Sequence, residues 1–157
     1  MDEKIEAGIV QIRPAQRDDA YKIASMVKDA RLNPLGVRWE HFRVALDSRE
    51  EVIGCAQVKD HRDGSRELAS LVVRVKWRGH GVGSALVKAL QKEHGPPLWL
   101  TSRSRLVPYY QRFGFLNLDA GAYKPVYFRW VSRLVNTVGI IASKDEYLAV
   151  MLWDGKN

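Results

Sequence analysis

A chain of 157 residues, 46% hydrophobic and 27% charged, has the size and composition of one globular domain whose core needs no covalent staples. Its lone cysteine, Cys55, excludes an internal disulfide and suits a reducing compartment, and the charged start Met1-Asp2-Glu3-Lys4, with no apolar signal core after it, points to a cytoplasmic protein. No stretch has the roughly 18 apolar residues of a membrane span, and the net charge of +7 is spread along the chain without an aromatic-interleaved recognition motif, so nucleic acid is not indicated as a partner.

Ile9-Val10-Gln11-Ile12 reads as a first strand ended by Pro14. Arg17 to Arg31 reads as a helix capped by Asp18 or Asp19, with Ala20, Ile23, Ala24, Val27 and Ala30 on one face and Asn33-Pro34 as its stop. The loop from Leu35 to Trp39 is short of polar residues. Phe42, Val44 and Leu46 alternate as a strand, Ser48 to Glu50 make a charged turn, and Val52 to Val58 form the partner strand, where Cys55 is expected as a buried structural thiol. Asp60-His61-Arg62-Asp63-Gly64-Ser65 carries an Asp-Gly hairpin signal and leads into Leu68 to Val75, apolar and β-branched enough for a strand buried on both faces.

After that strand come Gly79, Gly81 and Gly83, and then Val82, Ala85, Leu86, Ala89 and Leu90 at the spacing of one helical face. A glycine-rich turn that opens a helix is an anion site, because the first amides lack intrahelical acceptors and the positive end of the helix dipole lies with them. A Walker loop is excluded by the missing Gly-Lys-Ser/Thr. The dinucleotide fingerprint fails at Ser84 and at Leu98 to Thr101, which offers no acidic residue for a ribose. The run Arg78-Gly79-His80-Gly81-Val82-Gly83 resembles the Q/R-x-x-G-x-G/A signature of the GNAT superfamily of acyl-CoA-dependent N-acyltransferases.

Downstream, Gly95-Pro96-Pro97 breaks the chain and Leu98 to Thr101 reads as a short strand parallel to the one before the glycines. Tyr110, four residues before Gly114-Phe115, is similar to a second GNAT signature, with Pro108 in the first helical turn. Many family members have an asparagine seven residues before that tyrosine, where this chain has Arg103. Between Phe115–Leu118 and the last strand, Tyr147–Trp153, lies an insertion at about 124–144. There Phe128, Val131, Leu134, Val135, Val138 and Ile141 recur at helical spacing among Arg129, Arg133 and Lys144, so a basic amphipathic helix is expected. Such a helix can cover a cofactor or acceptor cleft, pack a homodimer or touch an anionic membrane surface.

The resemblance implies a single domain over 1–157 of mixed α/β class. It would have a mostly antiparallel sheet with one splayed parallel strand pair, flanking helices and the helical insertion as an extra. It further implies acetyl-CoA as cosubstrate and no metal, with the diphosphate on the amides of Arg78, Gly79, His80, Gly81, Val82, Gly83 and Ser84. The pantetheine arm would run along the backbone of Leu71, Val72 and Val73, and Val73 N–H would serve as the oxyanion donor. Trp39 is a candidate for lining the acceptor side or for ordinary packing. An alkyl ammonium, with a pKa of about 10.4, must lose a proton before it attacks the thioester. Glu67 sits where several members keep a catalytic glutamate, and Tyr110 where they keep the tyrosine that serves the departing thiolate. A carboxylate at position 67 can equally be a solvated hairpin residue or pair with Arg62 or Arg66. The four histidines, without metal-ligand spacing, read as surface residues. Transfer to a primary amine in a ternary complex is the leading reading. A non-catalytic acyl-CoA sensor and a basic adaptor for nucleic acid or membrane are the alternatives.

Overall fold

The computed structural model describes residues 11–138 and 145–156. Among them seven strands form one mixed sheet in the order β1-β2-β3-β4-β5-β7-β6. They are β1 (Gln11–Pro14), β2 (Phe42–Leu46), β3 (Val52–Asp60), β4 (Arg66–Val73), β5 (Leu98–Arg103), β6 (Leu116–Asn117) and β7 (Leu148–Trp153). The helices are α1 (Ala20–Asp29), α2 (Val82–His94), α3 (Val107–Gln111) and α4 (Val126–Val138). β4 and β5 are parallel and register at Glu67↔Trp99, whereas β5 and β7 pair antiparallel over their whole length, Leu98↔Trp153 to Arg103↔Leu148. Ile9, Val10, Ile141 and Lys144, which the sequence assigned to a strand and to the insertion helix, lie outside the described residues.

Two compact units divide the chain, one holding Leu68–Glu93 with the residues up to Lys59, the other Asp60–Glu67 and the residues from His94 on. In the first, Ile23, Met26 and Val27 of α1 pack with Phe42, Val44, Leu46, Val52, Cys55 and Val72. Met26 rather than the exposed Ala24 completes the buried face of α1, since a thioether chain reaches where a methyl does not. Trp39 and Val37 pack against this core, so Trp39 has a packing role. Burial without a charged partner pushes the Cys55 thiol up to about 12, which makes it an inert core residue. The expected cap differs. α1 has no side-chain cap at Asp19, whose carboxylate instead takes the Gln16 amide at 2.7 Å and pairs with Arg13 at 2.7 Å and 3.2 Å.

α2 lies close over β3. A Cβ built at Gly54 would meet Val82 Cγ1 at 2.9 Å, Leu86 Cδ1 at 3.2 Å and the Val72 carbonyl at 3.2 Å. Val82, Leu86, Val87 and Leu90 are the buried residues of that helix.

In the second unit Trp99 and Phe128 stack with centroids 5.5 Å apart, and Val150, Leu118, Tyr127 and Leu152 complete the cluster. α4 thus buries the face that carries Phe128, with Val131 and Val135 half-buried, while Leu134 and Val138 join Trp130 on the exposed side. The helix is joined to the β3–β4 turn at its start and to β7 near its end. Asp63 Oδ2 accepts the Tyr127 amide at 3.0 Å, and Asn136 bonds the backbone of Leu148 on both sides, at 2.8 Å and 3.4 Å. The turn closes as its Asp-Gly signal predicts, with His61 N–H on the Ser65 carbonyl at 2.9 Å and Gly64 at φ +82°.

Gly54→Ala should lower stability by about 1–3 kcal/mol through overpacking. Gly121→Ala, where a Cβ meets nothing within 4 Å, should stay within about 0.5 kcal/mol of wild type; chemical denaturation measures both. Asp63 supplies a pH dependence. Hydrogen bonds from the Ser65 side chain first, then from the Tyr127 and Ser65 amides, lower its carboxyl from 3.8 to about 2. A lowered folded-state value contributes stability that is complete above the unfolded value and is lost as pH falls through the folded one. Asp63→Ala should therefore cost about 1 kcal/mol at pH 6, the scale of a lost helix cap, and denaturation at pH 2 should show the two proteins converging.

Candidate functional site

β4 leaves the sheet after Val73 and turns through a 3-10 segment, Val75–Trp77, so the strand ends two residues before its apolar run does and Val75 is exposed. Nor is it buried on both faces: Leu68 and Val72 are buried, while Ala69, Leu71 and Val73 remain partly exposed. Inside the strand Ser70 has φ +56°, a left-handed conformation that a serine adopts only under constraint. Its hydroxyl accepts the Gln57 Nε2–H at 3.0 Å, and Gln57 is fully buried with Oε1 lacking a partner. This break falls next to Leu71, Val72 and Val73, the residues of the predicted pantetheine track.

The predicted diphosphate turn follows. Gly79 and Gly81 have φ +77° and +84°, and a Cβ on either would meet nothing within 4 Å. Backbone conformation, rather than crowding, demands glycine there. Gly83 differs, lying in the first turn of α2 without a positive φ. The first bond of the helical ladder is Ala85 N–H to the Gly81 carbonyl at 2.9 Å, so the amides of Val82, Gly83 and Ser84 precede it and face outward along the axis. The Arg78 amide does not belong to this set, because it donates to the Val75 carbonyl at 3.2 Å. Its side chain braces the strand exit, Nε donating to the Val73 carbonyl at 3.1 Å, and His80 Nδ1 lies 2.9 Å from the Arg78 carbonyl. A cavity of about 450 Å³ opens here, lined by Val72, Val73, Arg74, Val75 and Arg78 together with one side of α1. Open glycines, unladdered amides and this cavity fit a diphosphate-bearing ligand. A second cavity, of about 480 Å³ between α4 and β7, is lined by none of the predicted site residues.

At the other end of β4, Glu67 is only 5% exposed and is neither solvated nor paired with arginine. Arg66 sends its guanidinium to the carbonyls of His94, Gly95 and Pro97 at 2.7–3.2 Å. Glu67 Oε2 lies 2.8 Å from His61 Nε2, and Oε1 takes the Thr101 hydroxyl at 3.4 Å. The Tyr127 phenol faces the same carboxylate. Its pKa rises to about 12 through burial first, then through the charge of Glu67 and a hydrogen bond to it. His61 is thus no surface histidine; the hairpin folds it onto Glu67, and its ring stacks on Tyr127 with centroids 3.6 Å apart. Neither His61 nor Tyr127 was singled out by sequence. The only signal was their proximity to the hairpin turn and to the inserted helix.

Tyr110 lies in a separate aromatic cluster, edge-on to Tyr109 and Phe115, on a short helix with Pro108 in its first turn and Gly114 at φ +84° beyond its end. Burial, with a smaller contribution from Tyr109, pushes its phenol well above the usual tyrosine range. Arg103, in place of the asparagine expected by resemblance, shares Glu146 with Arg105, at 3.7 Å and 3.3 Å.

An acetyltransferase (GNAT) domain model matches residues 38–116, just over half of the chain and the stretch that contains β4, the glycine turn and α2. No curated protein matches at a significant level. Many solved structures share the fold. The N-acetylglutamate synthase of Neisseria gonorrhoeae, complexed with coenzyme A and N-acetyl-glutamate, aligns at a TM-score of 0.70 and 18% identity, over 93% of this chain and 35% of that one. This chain thus spans about a third of the synthase. The Mycobacterium tuberculosis protein Rv2747, in complex with CoA, aligns at 0.67 and 18% identity over 92% of this chain and 98% of its own. A GNAT-family acetyltransferase of Staphylococcus aureus aligns at 0.63 and 11%, over 94% and 99%. The matched domain and the mixed sheet with its parallel β4–β5 pair agree: this chain belongs to the GNAT acetyltransferase family.

Proposed function

We propose that the protein transfers the acetyl group of acetyl-CoA to a primary amine by direct attack in a ternary complex. The observation that carries the reading is the turn at Gly79–Ser84. Two left-handed glycines there lead into the unladdered amides of α2, and a cavity lined by Val72 to Val75 and Arg78 opens where β4 ends, within the segment that matches the family. Acetyl-CoA fits this arrangement. The amides from Gly79 to Ser84 hold the diphosphate, the backbone of Leu71, Val72 and Val73 aligns the pantetheine arm, and Val73 N–H donates to the oxyanion.

Glu67 is assigned the first proton. As a carboxylate it takes a proton from the bound ammonium, directly or through one water, and frees the nitrogen lone pair for the carbonyl carbon. The new C–N bond forms, the C–S bond breaks, and the second amine proton passes, directly or through water, to the departing thiolate, which leaves as the thiol of CoA. Tyr110 is assigned to the sulfur. A phenol raised by burial is a weaker acid than a thiol of pKa about 8.5. It therefore stabilises the departing sulfur as a hydrogen-bond donor and is not itself fully ionised. Cys55, buried and inert, takes no acyl group.

Thiol release from acetyl-CoA, measured with L-glutamate, L-lysine, spermidine and a tetrapeptide bearing a free N-terminus, tests this. At least one amine should raise the rate well above hydrolysis. Tyr110→Phe should lower kcat about 10–100-fold while acetyl-CoA still binds, the scale of one lost donor in the transition state. Binding without amine-dependent release, equal in wild type and variant, would make the protein an acyl-CoA sensor instead.

A further inference from the structure

The buried carboxylate of Glu67 is met from three elements. From the β3–β4 turn comes His61 Nε2, 2.8 Å from Oε2; from β5 the Thr101 hydroxyl, 3.4 Å from Oε1; from α4 the Tyr127 phenol. The charged groups of the turn complete the surroundings. Asp63 stands beside His61 and holds the first turn of α4 through the Tyr127 amide at 3.0 Å. His61 and Tyr127 in turn hold each other, their rings stacked at 3.6 Å and 18°, with Phe128 edge-on to both at 5.7 Å and 5.0 Å. Two donors locked by stacking, one on the hairpin and one on the inserted helix, leave a carboxylate little freedom to turn. Burying an ionised carboxylate is costly unless donors surround it, and here they do.

We propose that His61 and Tyr127 are positioning residues for Glu67, so that the inserted helix α4 completes the general-base site. This rests on the reading of Glu67 as the base. His61 Nε2–H and the Tyr127 O–H donate to the carboxylate and fix its orientation. Neither touches the acetyl group or the amine; each acts through Glu67. The proton taken from the ammonium stays on Glu67 until water removes it, and no proton needs to pass to His61.

A double-mutant cycle tests the proposal, with acetyl-CoA and whichever amine of the panel above is used fastest. Tyr127→Phe keeps the ring stack and removes only the hydroxyl, so it should fold; it should lower kcat about 5–20-fold with the KM for acetyl-CoA unchanged, a fraction of what general-base catalysis supplies. His61→Leu should do the same, and His61→Gln, whose amide can place N–H near the lost Nε2, should restore most of the loss. In the Glu67→Gln background Tyr127→Phe should have no further effect, because residues that act as a unit are not additive. If Glu67→Gln abolishes turnover while Tyr127→Phe and His61→Leu keep the wild-type kcat, or if the Tyr127 and Glu67 losses multiply, the positioning role is overturned and the base assignment stands. If Glu67→Gln retains full kcat, the base assignment itself fails, and this inference with it.

Discussion

A helix cannot begin without leaving its first amides outside its own ladder, and the arrangement of this protein turns on where α2 begins. The strand before it ends at Val73, and a short 3-10 turn and two left-handed glycines bring the chain to Val82. Position matters as much as exposure. The absence of a side chain at Gly54 lets Val82 and Leu86 come down onto β3, and Arg78 ties the turn back to the Val73 carbonyl. The amides that precede the ladder are therefore held by core packing and not by the turn alone. Their orientation is settled when the protein folds, which is what electrostatic preorganisation for an anion requires.

β4 carries a second constraint at its opposite end. A carboxylate as buried as Glu67 demands donors, and the chain supplies them from a hairpin turn, from β5 and from a helix more than fifty residues away. Asp63 makes these contacts mutually dependent, because the side chain that shapes the hairpin turn also accepts the second amide of α4. The insertion is thus integral to its unit, with Phe128 fully buried against Trp99 and Asn136 joined to β7. Along β4, Ser70 breaks the regular conformation of the strand.

What could be read in the sequence was what local rules govern. The glycine turn, the amphipathic α2, the Asp-Gly hairpin, Pro108 in a first turn and Gly114 after a helix each follow from the conformational needs of a few adjacent residues. What could not be read depends on partners distant in the chain. Asp19 had the composition of a cap but found Arg13 on β1. His61 had no motif; the hairpin folds it onto Glu67, and Tyr127 of α4 covers its ring. The face of α4 was assigned from periodicity alone, yet Leu134 and Val138 fit the same period and lie outward. Periodicity says that a face exists, and packing chooses its centre. Ser70 gives no sign at all, since its left-handed φ is imposed by neighbours.

The central claim is that unladdered amides at the start of α2 grip a diphosphate and so aim a thioester. The direct measurement is titration calorimetry of acetyl-CoA against S-acetyl-pantetheine, which keeps the thioester and lacks the diphosphate. The account predicts binding of acetyl-CoA at least about 100-fold tighter, equivalent to about 2.7 kcal/mol. Equal affinities, or no heat with acetyl-CoA, would contradict it.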